Sequence, residues 1–190
     1  MSEKPASNQR GVHLSGDALQ APWRQDYLEA LGAKEKAAGT PKPGTGSFLR
    51  DAFLDPASDG KNLVIVRNAH GLIMLNLYPY AGGHLLVALG EARGRLLDYT
   101  PEQRAEFWKL VDVGMDLVER ALEPQGVNMG INQGRASGAG VPQHLHAHLV
   151  PRWSGDINFM TTVGNVRVIP TSVEKMAERY REVAQRVVVS

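Results

Sequence analysis

With 190 residues, 43% of them hydrophobic and 22% charged, the chain has the composition of an ordinary globular protein with room for one well-cored domain. A formal net charge of +1 gives no broad field for nucleic acid or a membrane surface, and the absence of cysteine removes disulfides and thiolate metal ligands. The opening MSEKPASNQR is polar, and no stretch approaches the roughly 18 apolar residues of a membrane span, so a cytoplasmic protein is expected.

Residues 1–20 mix Ser, Asn, Gly and Lys without periodicity and are expected to form a flexible extension, with a single domain over 21–190. The Gly-, Pro- and Lys-rich stretch 32–46 reads as a mobile loop. Between them, APWRQDYLEAL carries Trp23, Tyr27, Leu28 and Leu31 at helical spacing, a short helix that should dock on the main body. From Asn62 the pattern turns to strands: NLVIVRN, GLIMLNLYP and HLLVAL are apolar runs of strand length with short punctuation, as in an antiparallel meander. Phe107, Leu110, Val111, Gly114, Leu117, Val118 and Ala121 then recur every three or four residues and predict the longest helix. Its start is signed by Thr100 as N-cap, Pro101 at the first helical position and Gln103 completing a capping box; Pro124 and Gly126 end it. GVNMGIN predicts a fourth strand, QGRASGAGVP a glycine-rich loop and QHLHAHLVPRW a fifth strand. A last helix is predicted from Ser172 to about Arg186, capped by Thr171 with Glu174 and apolar at Val173, Met176, Ala177, Tyr180, Val183 and Ala184. The expected fold is α+β, an antiparallel sheet of about five strands with one long helix packed on it and helical segments at both ends.

Half of the six histidines lie in the fifth strand. Alternate side chains share a face, so His144, His146 and His148 should point one way, open to solvent or ligand, while Leu145, Ala147 and Leu149 pack under the long helix. Three accounts compete. A polar strand face needs three alternate histidines by accident; a metal site needs a third protein ligand without straining the strand. In the third, one neutral imidazole attacks phosphorus while its neighbours orient it and bind phosphate oxygens. Phosphoryl chemistry explains the surroundings better. A phosphate under attack gains charge on its oxygens, and GRASGAG immediately upstream offers backbone N–H groups without bulky side chains. An imidazole is mostly neutral at pH 7, so it can attack without a separate strong base.

The segments LNLYPYAGGHLLV, GVNMGINQG, HLHAHLVPRW and GDINFMTTVGNVRVIP, in that order between about Leu63 and Pro170, resemble the histidine triad family of nucleotide hydrolases and transferases. APWRQDYL looks like the leading motif of its bacterial members. The resemblance implies that His146 is the nucleophile at an α-phosphate, that His148 orients it and holds its tautomer, and that His144 donates to phosphate or the leaving group. It assigns a fourth histidine to His84, nucleoside binding to Asn76, the bridging oxygen and leaving group to Gln133, and phosphate contacts to Asn132 and Gly140. Taken alone, Asn76 and Gln133 would be read as caps of strand ends, and His84 as a strand-end histidine.

Many bacterial members carry two cysteines before the first strand as part of a zinc site. Ser47 and Arg50 stand in those approximate positions, so no metal site is expected. The continuation past VPRW resembles the dinucleoside polyphosphate, or fragile-histidine-triad-like, branch; Trp153, Asn158 and Phe159 would shape the substrate site, with core or dimer contacts the alternative for Trp153 and Phe159. That branch implies, as the first reading, hydrolysis of diadenosine tetra- or triphosphate, to which Gln133 points, and as the alternative phosphorolysis by inorganic phosphate, to which the flanking bacterial motifs point. A nucleotide-binding regulator without turnover is a further alternative, opposed by the intact triad. No cofactor is expected beyond a divalent cation accompanying the polyphosphate. The expected partners are a small nucleotide and a second copy of the chain, with the helix Thr100–Glu123 in the contact.

Overall fold

The computed structural model describes residues 47–156 and 171–187, so the expectations for 1–46, including the helix on APWRQDYLEAL, and for Asn158 and Phe159 lie outside the described residues. Five strands form one antiparallel sheet: β1 (Val64–Arg67), β2 (Gly71–Leu75), β3 (Leu85–Leu89), β4 (Gly126–Ile131) and β5 (His146–Arg152). Their spatial order is β1-β2-β3-β5-β4, so the predicted meander forms one side and β5 inserts between β3 and β4. Register places Leu86 opposite His148 and Ala88 opposite His146 on one flank, and Gly130 opposite His148 on the other.

The predicted long helix spans Pro101–Leu122 and is called α2 here, after a short α1 (Phe48–Leu54). Its reciprocal capping box at Thr100 and Gln103 is present with Pro101 at its first position. It ends on Glu123, which takes a left-handed conformation (φ +48°) and donates its N–H to the Glu119 carbonyl. The final helix, α3, runs Val173–Val187. Its cap is Ser172, not Thr171: the Ser172 hydroxyl accepts from the Lys175 N–H, the geometry of a cap three residues before its donor.

Every apolar position predicted for α2 is buried, and with Met176, Ala177, Tyr180 and Ala184 of α3 they cover one sheet face at Ile73, Leu75, Leu85, Val87, Leu145, Ala147 and Leu149. Burial of so many large side chains, worth roughly 1.5–3 kcal/mol each, is the main stabilising contribution. The close approach of α2 rests on Gly114, where a Cβ would stand 2.6 Å from Cδ1 of Leu149 and 3.4 Å from Cγ2 of Val87. The Tyr180 hydroxyl donates to the Gly83 carbonyl at 2.7 Å, which ties α3 to the residue just before His84.

Two further expectations are corrected. α1, which periodicity does not predict, lays Leu49 and Ala52 on Leu72, Met74, Leu86 and Ala88, making a second cluster on the opposite sheet face. The histidine face is therefore covered rather than open at His144 and His146, both buried. The fifth strand also begins at His146, because His144 closes a turn by donating its N–H to the Val141 carbonyl at 3.1 Å.

Replacing Gly114 by Val should lower stability by about 1–3 kcal/mol, the usual cost of overpacking a filled core. Urea unfolding followed by circular dichroism checks this, and an unchanged midpoint would show that α2 does not need the close contact.

Candidate functional site

Hydrogen-bond partners fix where each imidazole keeps its proton. A carbonyl only accepts, so His144 carries its proton on Nε2 and donates it to the Leu89 carbonyl at 2.7 Å. Its Nδ1 is then an acceptor, and the buried Ser47 hydroxyl donates to it at 2.7 Å. His146 donates from Nδ1 to the His144 carbonyl at 2.8 Å. That leaves a lone pair on Nε2 of His146, to which the described residues make no hydrogen bond.

A second chain of bonds sets His148. The Tyr80 N–H donates to Nδ1 of His84 at 3.1 Å, so the His84 proton sits on Nε2 and is donated to Nδ1 of His148 across 3.0 Å. His148 therefore carries its proton on Nε2. This atom is buried and has no hydrogen-bond partner among the described residues. An unmatched buried donor is costly, which makes it a place where a ligand oxygen would be welcome. The rings of His146 and His148 have centroids 4.8 Å apart, so the ring with the lone pair and the ring with the donor are neighbours.

These partners bear on the three residues to which the family resemblance assigns roles. The tautomer of His146 is held by the main-chain carbonyl of His144, and His148 makes no hydrogen bond to His146 among the described residues. Both ring nitrogens of His144 are engaged within the protein, so the N–H free to meet a phosphate oxygen belongs to His148. Asn76 touches His84: its Nδ2 lies 3.3 Å from Nδ1 of that ring while its Oδ1 accepts from the Tyr78 N–H.

The remaining predicted residues are less gathered. Ile131 pairs with Ala147, so Asn132 leaves β4 at the level of His146. Gln133 is exposed, and its Oε1 accepts from the Leu96 N–H at 2.9 Å, leaving its amide N–H groups available. Gly140 is exposed in the glycine-rich loop with open space around it. Trp153 packs on the main cluster under α2 and α3, the face away from the histidines. Tyr80 and Ser47 were not foreseen. The Tyr80 ring stacks on His148 at 17° with centroids 5.7 Å apart and tilts against His84 at 4.7 Å; its place in LYPYAGGH was the available signal. For Ser47, which lies 97 residues from His144, the available signal was its place at the approximate position of a family zinc-site cysteine. Among the described residues, no group of three His, Cys, Asp or Glu side chains is placed to hold a metal ion.

Burial is the largest cause lowering the pKa of all three triad imidazoles, to about 4 for His144 and for His148, so each is neutral at pH 7. In the unfolded chain the same rings titrate near pH 6.5. Between the two values the unfolded chain binds more protons, so stability rises with pH there. The stabilisation should be fully present above about pH 6.5 and drain away as pH falls toward 4. Urea midpoints measured between pH 7 and pH 5 should fall steadily; a flat series would contradict burial of neutral imidazoles.

Comparisons with known proteins place the chain in a family. The model of the HIT domain family matches residues 58–155. The chain is 34% identical over 152 residues to an AP-4-A phosphorylase of Mycobacterium tuberculosis, covering 80% of this chain and 76% of that protein. It is 32% identical over 95 residues to the asymmetrical bis(5'-nucleosyl)-tetraphosphatase of Schizosaccharomyces pombe, covering 50% of this chain and 52% of the relative. Among solved structures, a zinc-bound histidine triad family protein from Mycobacterium smegmatis aligns with a TM-score of 0.56 at 28% identity, covering 73% of this chain and 95% of that one. The chain belongs to the HIT domain family.

Proposed function

We propose that the protein transfers a nucleotidyl group from a dinucleoside polyphosphate of the diadenosine tetra- or triphosphate class, through a covalent intermediate on His146. The observation that carries this is the free Nε2 of His146 beside the unmatched Nε2–H of His148. The lone pair attacks the α-phosphorus; an N–P bond forms as the bond to the bridging oxygen breaks, and the rest of the polyphosphate leaves with that oxygen. The ring, still protonated at Nδ1, becomes cationic, and the His144 carbonyl stabilises it. His148 donates to an oxygen of the phosphate as charge builds there, with His84 holding its ring in place. An oxygen acceptor then attacks the same phosphorus and His146 leaves as neutral imidazole. Asn76, Asn132, Gln133 and Gly140 serve as substrate contacts around this centre.

The acceptor divides two readings. The phosphorylase relative matches over more of this chain than the tetraphosphatase does, 80% against 50%, which favours inorganic phosphate. Water is the second reading, on the strength of Gln133. A divalent cation would accompany the polyphosphate rather than reside in the protein. A cytoplasmic homodimer completes the proposal: β4 is an outer strand of the sheet with Asn128, Met129 and Gly130 exposed, an edge that a second copy could pair with. No described helix is long and apolar enough to cross a membrane.

Incubation with diadenosine tetraphosphate separates the readings. ADP and ATP appearing only when phosphate is supplied means phosphorolysis; AMP and ATP regardless of phosphate means hydrolysis. No turnover of this or the triphosphate would sink both and leave a binding protein. His146→Ala should lose turnover by at least about a thousandfold, as for other nucleophile deletions. His148→Ala should cost about 100- to 1,000-fold in kcat, the range for removing one donor to a developing oxyanion. A His148 variant with wild-type kcat would refute the donor role.

A further inference from the structure

The Ser47 hydroxyl occupies an unusual position between two elements. It caps α1 by accepting from the Arg50 N–H at 3.4 Å, and it donates to Nδ1 of His144 at 2.7 Å. A hydroxyl can do both at once, having one proton and two lone pairs. Both residues are fully buried, at 0% exposure, so neither bond is exchanged for water. The ring of His144 is thereby held at both nitrogens, by Ser47 on one side and the Leu89 carbonyl on the other.

The reason this matters lies in the His144 main chain. His144 precedes β5, and three contacts set the direction of its carbonyl: the Leu145 N–H of the same peptide, which donates to the Arg93 carbonyl at 2.8 Å, the turn closed on Val141, and the anchored ring. That carbonyl is the acceptor for Nδ1–H of His146. We propose that Ser47 is a positioning residue of the nucleotidyl-transfer site: by clamping the His144 ring from α1, its hydroxyl keeps the His144 carbonyl aimed at His146 and so keeps the nucleophilic nitrogen unprotonated. The link also explains how α1 takes part in a site built on β5 without touching substrate. Without the hydroxyl, the His144 ring keeps one anchor and turns about it. The carbonyl then aligns less well, and His146 gains access to the other tautomer, with its proton on the nitrogen that must attack.

The kinetic half of this inference rests on the nucleotidyl-transfer reading, whereas the tautomer half can be measured on the resting protein. Nitrogen-15 NMR of the imidazoles in the full chain should show the wild-type His144 with its proton on Nε2 and His146 with its proton on Nδ1. In Ser47→Gly, which keeps most of the capping ability of position 47, His146 should become a mixture of tautomers and kcat should fall about 10- to 100-fold with KM little changed. Ser47→Ala loses the cap as well, so it should be less stable than Ser47→Gly but equally impaired in kcat. A Ser47→Gly protein with His146 in the single Nδ1–H tautomer, or with wild-type kcat, overturns the proposal, because Ser47 would then be a helix cap and nothing more. Should neither variant fold, the wild-type spectrum decides: a proton on Nδ1 of His144 contradicts the clamp, and a single Nε2–H form with an acceptor at Nδ1 supports it. Absence of turnover would fail the nucleotidyl-transfer reading while leaving the tautomer result intact.

Discussion

An imidazole offers a lone pair at one nitrogen only while its proton is held at the other, and here the His144 carbonyl does the holding, 2.8 Å from Nδ1 of His146. Much of the architecture keeps this one bond in place. The carbonyl belongs to the last residue but one before β5, so it needs a turn that delivers the chain into the sheet at a fixed height. Gln143 and its neighbours supply that turn, and the Leu145 N–H bonds the Arg93 carbonyl at 2.8 Å as the chain enters. Leu145, Ala147 and Leu149, packed under α2, prevent the strand from rotating or slipping, since a shift of one residue would turn the histidines into the core.

The second constraint is polar. Three imidazoles crowd the start of β5, and burial of His144 and His146, with partial burial of His148, favours their neutral forms. Each neutral ring has one donor and one acceptor, so a chain of partners of known direction fixes them all. Tyr80 N–H to His84, and His84 to His148, is one such chain; Ser47 to His144 to the Leu89 carbonyl is the other. The first ends on a donor with no acceptor among the described residues, at Nε2 of His148. A fully satisfied core would have no such end. A single unmatched donor next to an available lone pair is the electrostatic outline of a phosphate.

Much of this was legible from local pattern. Thr100, Pro101 and Gln103 announced α2 because capping is decided within four residues. The alternation of His144, Leu145, His146, Ala147 and His148 announced a two-faced strand because side-chain direction in a strand has period two. Carrying the same count on to Trp153 puts it with the leucines, where the structure has it. What escaped depends on partners far apart in the chain. His84 and His148 are 64 residues apart, and Ser47 and His144 are 97. No periodicity reports which of three similar rings will meet a serine from another helix, so the histidines could be recognised as a group before their separate tasks could be assigned. α1 was hidden for a related reason: seven residues are too few for helical spacing to stand out, and its face is defined by Leu72, Met74, Leu86 and Ala88 beneath it.

The central claim is that Nε2 of His146 forms the bond to phosphorus. Mixing the protein with diadenosine tetraphosphate, quenching in alkaline denaturant to preserve a phosphoramidate, and mapping the labelled peptide by mass spectrometry tests it directly. The account predicts a nucleotidyl group on His146, with phosphorus-31 and nitrogen-15 coupling placing it on Nε2. A nucleotidyl group on His148 or His144, or turnover with no adduct at any histidine under single-turnover conditions, would contradict it.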